Sequence, residues 1–374
     1  MARILINLHS KQTIPNYIAI KEINPDKVVA LATTDYSEQT NVFEEITGIA
    51  HVLTSIDAYN LEYNFNAIQN IINQWDHGDE IVINYTGGTK IMSVSLVLKV
   101  LLSAQQALSF VYVNTYSNKL EYLKLSTDKK LKSFSGNINT KVLLETYILL
   151  KGEKIKSVED RPTSNIIDRF NLTESLLLEK DLSKIFNKQG LFFKRKGLNS
   201  GPKKSYMHRL ATCEISWTPN RITALWGSNK LDFPHQDGGK YFTGAWLEEY
   251  VFVKLAKTQF YDEVLSNVKF DFTSFSIENK PFKDDIFKNE MDVVVTKGLN
   301  TVFIECKAGQ VKQDHVYKLQ ALRDYFLGTF GKAVMVCKLS PKPHIVEKCK
   351  DVNITIVSGN EIKNINKIIN KLIE

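Results

Sequence analysis

The sequence has few of the residues that covalent or metal staples require. Only four cysteines occur, Cys213, Cys306, Cys337 and Cys349, and no two form a Cys-x-x-Cys pair. That argues against a disulfide framework and a zinc ribbon, and the expected location is a reducing cytosol. Long apolar runs are missing too. The start, MARILINLHS, holds too short an apolar run for a secretory signal, and Lys99 interrupts the most apolar helical stretch, so no membrane partner is expected. There is no Gly-x-Gly-x-x-Gly fingerprint and no P-loop, which disfavours NAD and ATP as ligands. No internal repeat is visible. Between Leu182 and Cys213 there is no acidic residue, although eight lysines and arginines fall there.

What is present suits a globular enzyme. The chain has 374 residues, 43% hydrophobic and 24% charged, enough for two or three domains with more than one core. A net charge of +7 favours a polyanionic partner.

Short apolar runs alternate with longer amphipathic ones in the first third. The pattern predicts strands over Arg3–Leu8, Lys27–Ala32, Glu80–Asn84 and Leu108–Val113. Helices are expected over Pro15–Ile23, Glu38–Ile49, Asn64–Trp75 and Ile91–Ala104. Such βα alternation means a doubly wound, mostly parallel sheet, which binds ligands at the carboxyl ends of its strands. Those ends are unusually polar. One carries Asn84-Tyr85-Thr86-Gly87-Gly88-Thr89-Lys90 just before a helix. Paired glycines let backbone N–H groups approach a ligand, the helix start favours an anion, and Lys90 adds a charge. The other ends carry Ser10-Lys11-Gln12, Thr33-Thr34 and Asn114-Thr115.

The middle is less readable. A short strand is expected at Glu121–Leu125, a linker or exposed turn over Ser126–Thr140, and helices over Val142–Lys151 and Leu172–Lys188, the latter capped by Thr173. Arg221–Leu225 is strand-like. The basic stretch holds Lys194, Arg195, Lys196, Lys203 and Lys204 interleaved with Phe192, Phe193 and Tyr206. That suits a nucleic-acid groove, in which cations meet phosphates and aromatics stack on bases. It equally suits a solvated basic loop.

The last third carries the chemistry. An apolar helix over Thr243–Gln259 bears Glu248 and Glu249, and phase alone does not decide which turns inward. A strand is expected over Asn267–Phe275. Glu290–Gly309 then reads as two strands around a type II′ turn with Gly298 as its first central residue. This register sets Asp292 opposite Glu305, with Lys307 on the same face. Charges on strands otherwise built of Val, Ile and Phe need a partner or a metal, and two carboxylates suit Mg²⁺ or Mn²⁺. A buried salt bridge would use the same three residues. A helix, a strand, a helix, a strand and a helix complete the chain.

Two resemblances follow from these motifs. Asn84–Met92 (NYTGGTKIM) resembles the signature of CRISPR-associated Rossmann-fold sensor domains, which dimerise and bind cyclic oligoadenylates. Asp292…Glu305-Cys306-Lys307, with Gly244–Glu248 upstream, resembles the PD-(D/E)xK motif of restriction-endonuclease-like nucleases without its proline. Together they resemble the cyclic-tetra-adenylate-activated nucleases of type III CRISPR defence. The resemblance implies an α/β chain with a Rossmann-like sensor domain (1–137), a helical linker (138–189) and a nuclease domain (190–374). It implies a homodimer that binds cyclic tetra-adenylate through Thr86, Gly87, Gly88, Thr89 and Lys90, with Ser10, Lys11, Gln12, Thr33, Thr34, Asn84 and Asn114 around them. Asp292, Glu305, the Cys306 carbonyl and Glu248 (or Glu249) would hold the metal, and Lys307 would act on the reacting phosphate. The expected substrate is DNA, with single-stranded RNA as a second. A constitutive restriction or repair nuclease and a non-catalytic nucleotide sensor are the competing readings.

Overall fold

Buried strands alternating with helices build the first of two compact units. The computed structural model describes residues 2–103, 106–180, 206–271, 290–328 and 331–374. The first unit runs over Met1–Lys154, and the second takes up Ile155–Phe270 and the chain from Glu290 on. Lys194, Arg195, Lys196, Lys203 and Lys204 lie outside the described residues.

The first unit runs β1 (Arg3–Leu8), α1 (Ile14–Ile23), β2 (Lys27–Ala32), α2 (Gln39–Thr47), β3 (His51–Ser55), α3 (Leu61–Ile72), β4 (Glu80–Asn84), α4 (Lys90–Ser103), β5 (Leu108–Asn114), β6 (Lys119–Leu125), β7 (Leu131–Asn137) and α5 (Leu144–Leu149). The sheet order is β3-β2-β1-β4-β5-β6-β7. The first five strands are parallel, and β6 and β7 add antiparallel. β1 is flanked by β2 on one side and β4 on the other, so the chain order reverses there. A crevice opens at such a point beyond the strand ends. Ile6, Leu8, Leu31, Ile83, Leu96 and Phe110 fill the core beneath it.

Two elements differ from the sequence expectation. β3 was not anticipated, because it is an edge strand whose Val52 and Leu53 are exposed, without the alternation of a half-buried strand. The expected linker at Ser126–Thr140 contains β7, a full partner of β6. Six of its seven residues are exposed, so its polarity reads as loop.

The second unit contains β8 (Lys154–Glu159), α6 (Ser164–Leu178), β9 (Tyr206–Arg209), β10 (Glu214–Trp217), β11 (Arg221–Trp226), β12 (Asn229–Pro234), α7 (His235–Lys240), α8 (Trp246–Ala256), β13 (Glu263–Asp271), β14 (Glu290–Lys297), β15 (Asn300–Lys307), α9 (Gln313–Phe326), β16 (Gly331–Cys337), α10 (Pro343–Asp351), β17 (Ile354–Ser358) and α11 (Ile365–Ile373). A four-stranded antiparallel sheet, β12-β11-β10-β9, accompanies a six-stranded sheet, β17-β16-β15-β14-β13-β8. Trp246, Leu247, Tyr250 and Val251 of α8 pack in one core with Val293, Val295, Val302 and Ile304.

Thr173 does not cap a helix. It lies inside α6, where its hydroxyl donates to the Arg169 carbonyl at 2.9 Å. Thr163 is the cap, accepting the Ile166 N–H at 3.4 Å. The polar first turns of α6 hide its start. The expected strand at Asn267–Phe275 begins earlier, at Glu263, and its residues beyond Asp271 lie outside the described ones.

Candidate functional site

In the first unit, every residue assigned to the anion face falls at or beyond a strand's carboxyl end, Asn84 being the last residue of β4. Ser10, Lys11 and Gln12 follow β1, Thr33 and Thr34 follow β2, Thr86–Lys90 follow β4, and Asn114 ends β5. Gly87 lies so close to β1 that a Cβ there would stand 2.5 Å from the Leu8 carbonyl oxygen, and 3.5 Å from Ser10 Oγ. Only glycine allows that approach. Gly88 has φ +78°, in the left-handed region. Among the described residues, the N–H groups of Gly87 and Gly88 have no protein partner.

The threonine hydroxyls are already committed. Thr86 Oγ1 donates to Asn84 Oδ1 at 2.6 Å and accepts the Val113 N–H at 2.8 Å. Thr89 Oγ1 donates to the Ala58 carbonyl at 2.7 Å and accepts the Met92 N–H at 3.2 Å, capping α4. Asn84 is fully buried, and its amide donates to Asn7 and Asn16. It shapes the loop from beneath and does not line its surface. What faces outward is backbone N–H, a helix start and the exposed Lys90, Lys11 and Gln12.

In the second unit the hairpin forms in the expected register. Lys297 pairs with Asn300, and Val293 with Ile304, so Asp292 continues opposite Glu305. Gly298 has φ +59° and Leu299 does not share the left-handed region, as a type II′ turn requires. Asp292 and Glu305 are both buried. Lys307 Nζ stands 2.5 Å from Glu305 Oε1 and 3.5 Å from Asp292 Oδ2, and donates to the Cys306 carbonyl at 3.1 Å. The Cys306 N–H donates to Asp292 Oδ2 at 2.6 Å. Lys318 of α9 donates to the Glu290 carbonyl at 3.0 Å and stands 3.9 Å from Glu305 Oε2.

The charges do not balance. Burial, then the neighbouring Glu305, pushes the Asp292 carboxyl above the usual carboxylate range. Burial, then the Asp292 charge, does the same to Glu248. Burial works against the Lys307 ammonium, but Asp292 and Glu305 outweigh it and raise its pKa. Lys307 is therefore held as a cation, suited to stabilising negative charge and unsuited to act as a base.

The two glutamates of α8 part company. Glu249 binds Arg169 through both carboxylate oxygens, Oε2 accepting from Nε at 2.9 Å. Both glutamates line a cleft of about 250 Å³ with Asn165, Ser266 and Asn267, but it is the Glu248 carboxyl that feels the Asp292 and Glu305 charges. Glu248 is thus the acid directed to the hairpin.

Do these residues fit a divalent cation? Among the described residues no three acidic, histidine or cysteine side chains gather closely enough to cage one. Yet Glu305 Oε2 is buried without a hydrogen-bond partner, and Glu248 adds a third carboxyl to Asp292 and Glu305 beside the two cations Lys307 and Lys318. Two carboxylates suffice for Mg²⁺, which keeps waters and shares substrate phosphates. The donor set fits.

Comparison with known proteins agrees domain by domain. Residues 4–147 match the family described as the Card1 CARF domain. Residues 236–373 match the family described as the Card1-like endonuclease domain. The chain joins a Card1 CARF domain to a Card1-like endonuclease domain. Among solved structures, Can2 from Sulfobacillus thermosulfidooxidans in complex with cyclic tetra-adenylate superposes with a TM-score of 0.72 at 16% identity, covering 100% of this chain and 99% of that one. Protein VC1899 from Vibrio cholerae gives 0.74 at 14% identity, covering 99% and 98%. A type III CRISPR defence DNA nuclease activated by cyclic oligoadenylate gives 0.51 at 15% identity, over 91% of this chain and 46% of that one. At such identities the shared property is the fold. No curated protein matches the chain. The CARF domain holds the anion face and the endonuclease domain holds the acidic hairpin. No helix among the described residues is long and apolar enough to cross a membrane.

Proposed function

We propose that this protein is a metal-dependent endonuclease of type III CRISPR defence, switched on by cyclic tetra-adenylate and acting as a cytosolic homodimer. Its substrate is DNA, with single-stranded RNA as a second. The observation that carries the chemistry is the buried Asp292–Glu305 pair beside Lys307, which leaves Glu305 Oε2 without a hydrogen-bond partner. Asp292, Glu305, the Cys306 carbonyl and Glu248 would hold Mg²⁺ or Mn²⁺. Such an ion supplies Lewis acidity and a lowered pKa for bound water. Lys307, fixed as a cation, offsets the charge that grows on the phosphate oxygens in the transition state.

The activator reading rests on the unpartnered Gly87 and Gly88 N–H groups, the start of α4 and Lys90. Can2, of like fold, was solved with cyclic tetra-adenylate. The dimer is supported by Ile91, Val94, Leu98 and Leu102, an exposed apolar stripe along α4. Monomeric surfaces rarely leave such a stripe uncovered. The basic residues Lys194, Arg195, Lys196, Lys203 and Lys204 would meet nucleic-acid phosphates.

Plasmid and single-stranded RNA cleavage, with and without the ring and Mg²⁺, tests the whole reading. Cleavage should need both, and Glu305→Gln should abolish it while ring binding persists. Cleavage without the ring would make this a constitutive nuclease. Silence under all conditions would make it a sensor without catalysis.

A further inference from the structure

One contact in the CARF domain joins the loop after β1 to the segment that follows α5. Lys151 lies just after α5, half-buried, and its Nζ donates to the backbone carbonyl of Lys11 at 2.9 Å across 140 residues of sequence. Lys11 belongs to the loop after β1, whose Ser10 abuts Gly87 of the phosphate-binding turn. On its other side Lys151 enters a tight turn. The Gly152 N–H bonds to the Leu149 carbonyl at 2.8 Å, Gly152 has φ +75°, and Glu153 follows fully buried. The next residue, Lys154, begins β8, which adjoins β13 in the sheet where β14 carries Asp292.

We propose that Lys151 is a positioning residue that ties the activator loop to the segment entering the nuclease sheet, so that the state of the loop is passed to β8. The proposal rests on the activator reading above. Its physical basis is a differential affinity. Lys151 is held by a carbonyl while sitting beside the positive Lys11, and burial followed by that charge lowers its pKa. An anion arriving at the Lys11 loop offsets this repulsion and strengthens the tie. The activator thereby binds the tied arrangement better than the untied one and shifts the population toward it. Only Gly152 and Glu153 separate Lys151 from the start of β8.

Cyclic tetra-adenylate titrations of the full-length protein test this, by calorimetry for binding and by plasmid cleavage for output. Lys151→Met should leave the ring's Kd within about threefold of wild type. Maximal ring-stimulated cleavage should fall about tenfold or more, within the usual range of coupling free energies. Lys151→Arg should restore most of that rate. Lys151→Gln, which keeps a donor without the charge, carries the same test if the methionine variant does not fold. A weakened Kd with full maximal cleavage would overturn the proposal and make Lys151 part of the ligand site. Normal binding with normal cleavage would overturn it as well, leaving a surface tie. Wild-type protein that ignores the ring would instead fail the activator reading.

Discussion

Glu248 and Glu249 are adjacent in sequence but about 100° apart around α8. That rotation separates two roles which no spacing rule distinguishes. Glu249 is neutralised by Arg169, both side chains being only 17% exposed. Glu248 has no such partner and feels Asp292. Glu248→Gln should therefore lower cleavage strongly while leaving Tm unchanged or raised, since burial and the Asp292 charge already work against its ionised form. Glu249→Gln should leave Arg169 unpaired and cost on the order of 2–4 kcal/mol of stability, with cleavage per folded molecule retained. Thermal melts beside single-turnover kinetics read both, and the reverse pattern would reassign the acid. A second residue-scale test concerns His9. It is fully buried against Phe43, and burial, with His51 adding, pushes its pKa down from 6.5 to about 3. The unfolded chain therefore binds a proton between those values that the native state refuses. Stability is complete above pH 6.5 and is lost as pH falls toward 3, by at most about 1.4 kcal/mol per pH unit. His9→Phe should flatten that slope in urea melts at pH 7, 6 and 5. An unchanged slope would place the acid sensitivity elsewhere.

At the scale of elements, legibility followed burial. β1, β2 and β4 match the expected ranges because five of six, five of six and four of five of their residues are buried, giving continuous apolar runs. β3 and β7 are sheet edges with exposed side chains, and nothing in their composition distinguishes them from loop. The hairpin was legible to the register, because Gly298 permits only a narrow turn and the strands around it are apolar. TGGTK was legible as a strand-to-helix turn, but the contact that keeps a side chain out of Gly87 was not. Leu8 of a distant strand occupies the space where a Gly87 side chain would go. Its carbonyl is backbone and cannot swing aside, so Gly87→Ala must displace the loop itself. That variant should bind the ring at least about tenfold more weakly, a loss on the order of 1.4 kcal/mol. The endonuclease domain should melt as in wild type. Normal affinity would show that ring binding does not use this turn.

The whole molecule adds a question of stoichiometry. Ile91, Val94, Leu98 and Leu102 recur along one side of α4 and are 36%, 49%, 44% and 79% exposed. Such spacing makes a continuous apolar stripe that one chain leaves uncovered, and it begins one residue after Lys90. A second copy laid on it by a two-fold axis would bring an anion turn from each chain to the same interface, since a symmetric interface repeats its neighbourhood on each side. A ring of four phosphates can be shared between two such faces, each chain holding half. Calorimetry should therefore give one ring per two chains. Val94→Glu with Leu98→Glu should yield monomers by light scattering and lose ring affinity and activated cleavage together. Lys90→Ala should behave differently. It removes a cation from both halves of one site, so the ring concentration for half-maximal cleavage should rise steeply. Maximal cleavage at saturating ring should largely recover, because Asp292, Glu305 and Lys307 are untouched. One ring per chain would refute the shared site, and a Lys90→Ala protein with normal activator dependence would confine TGGTK to the role of a turn.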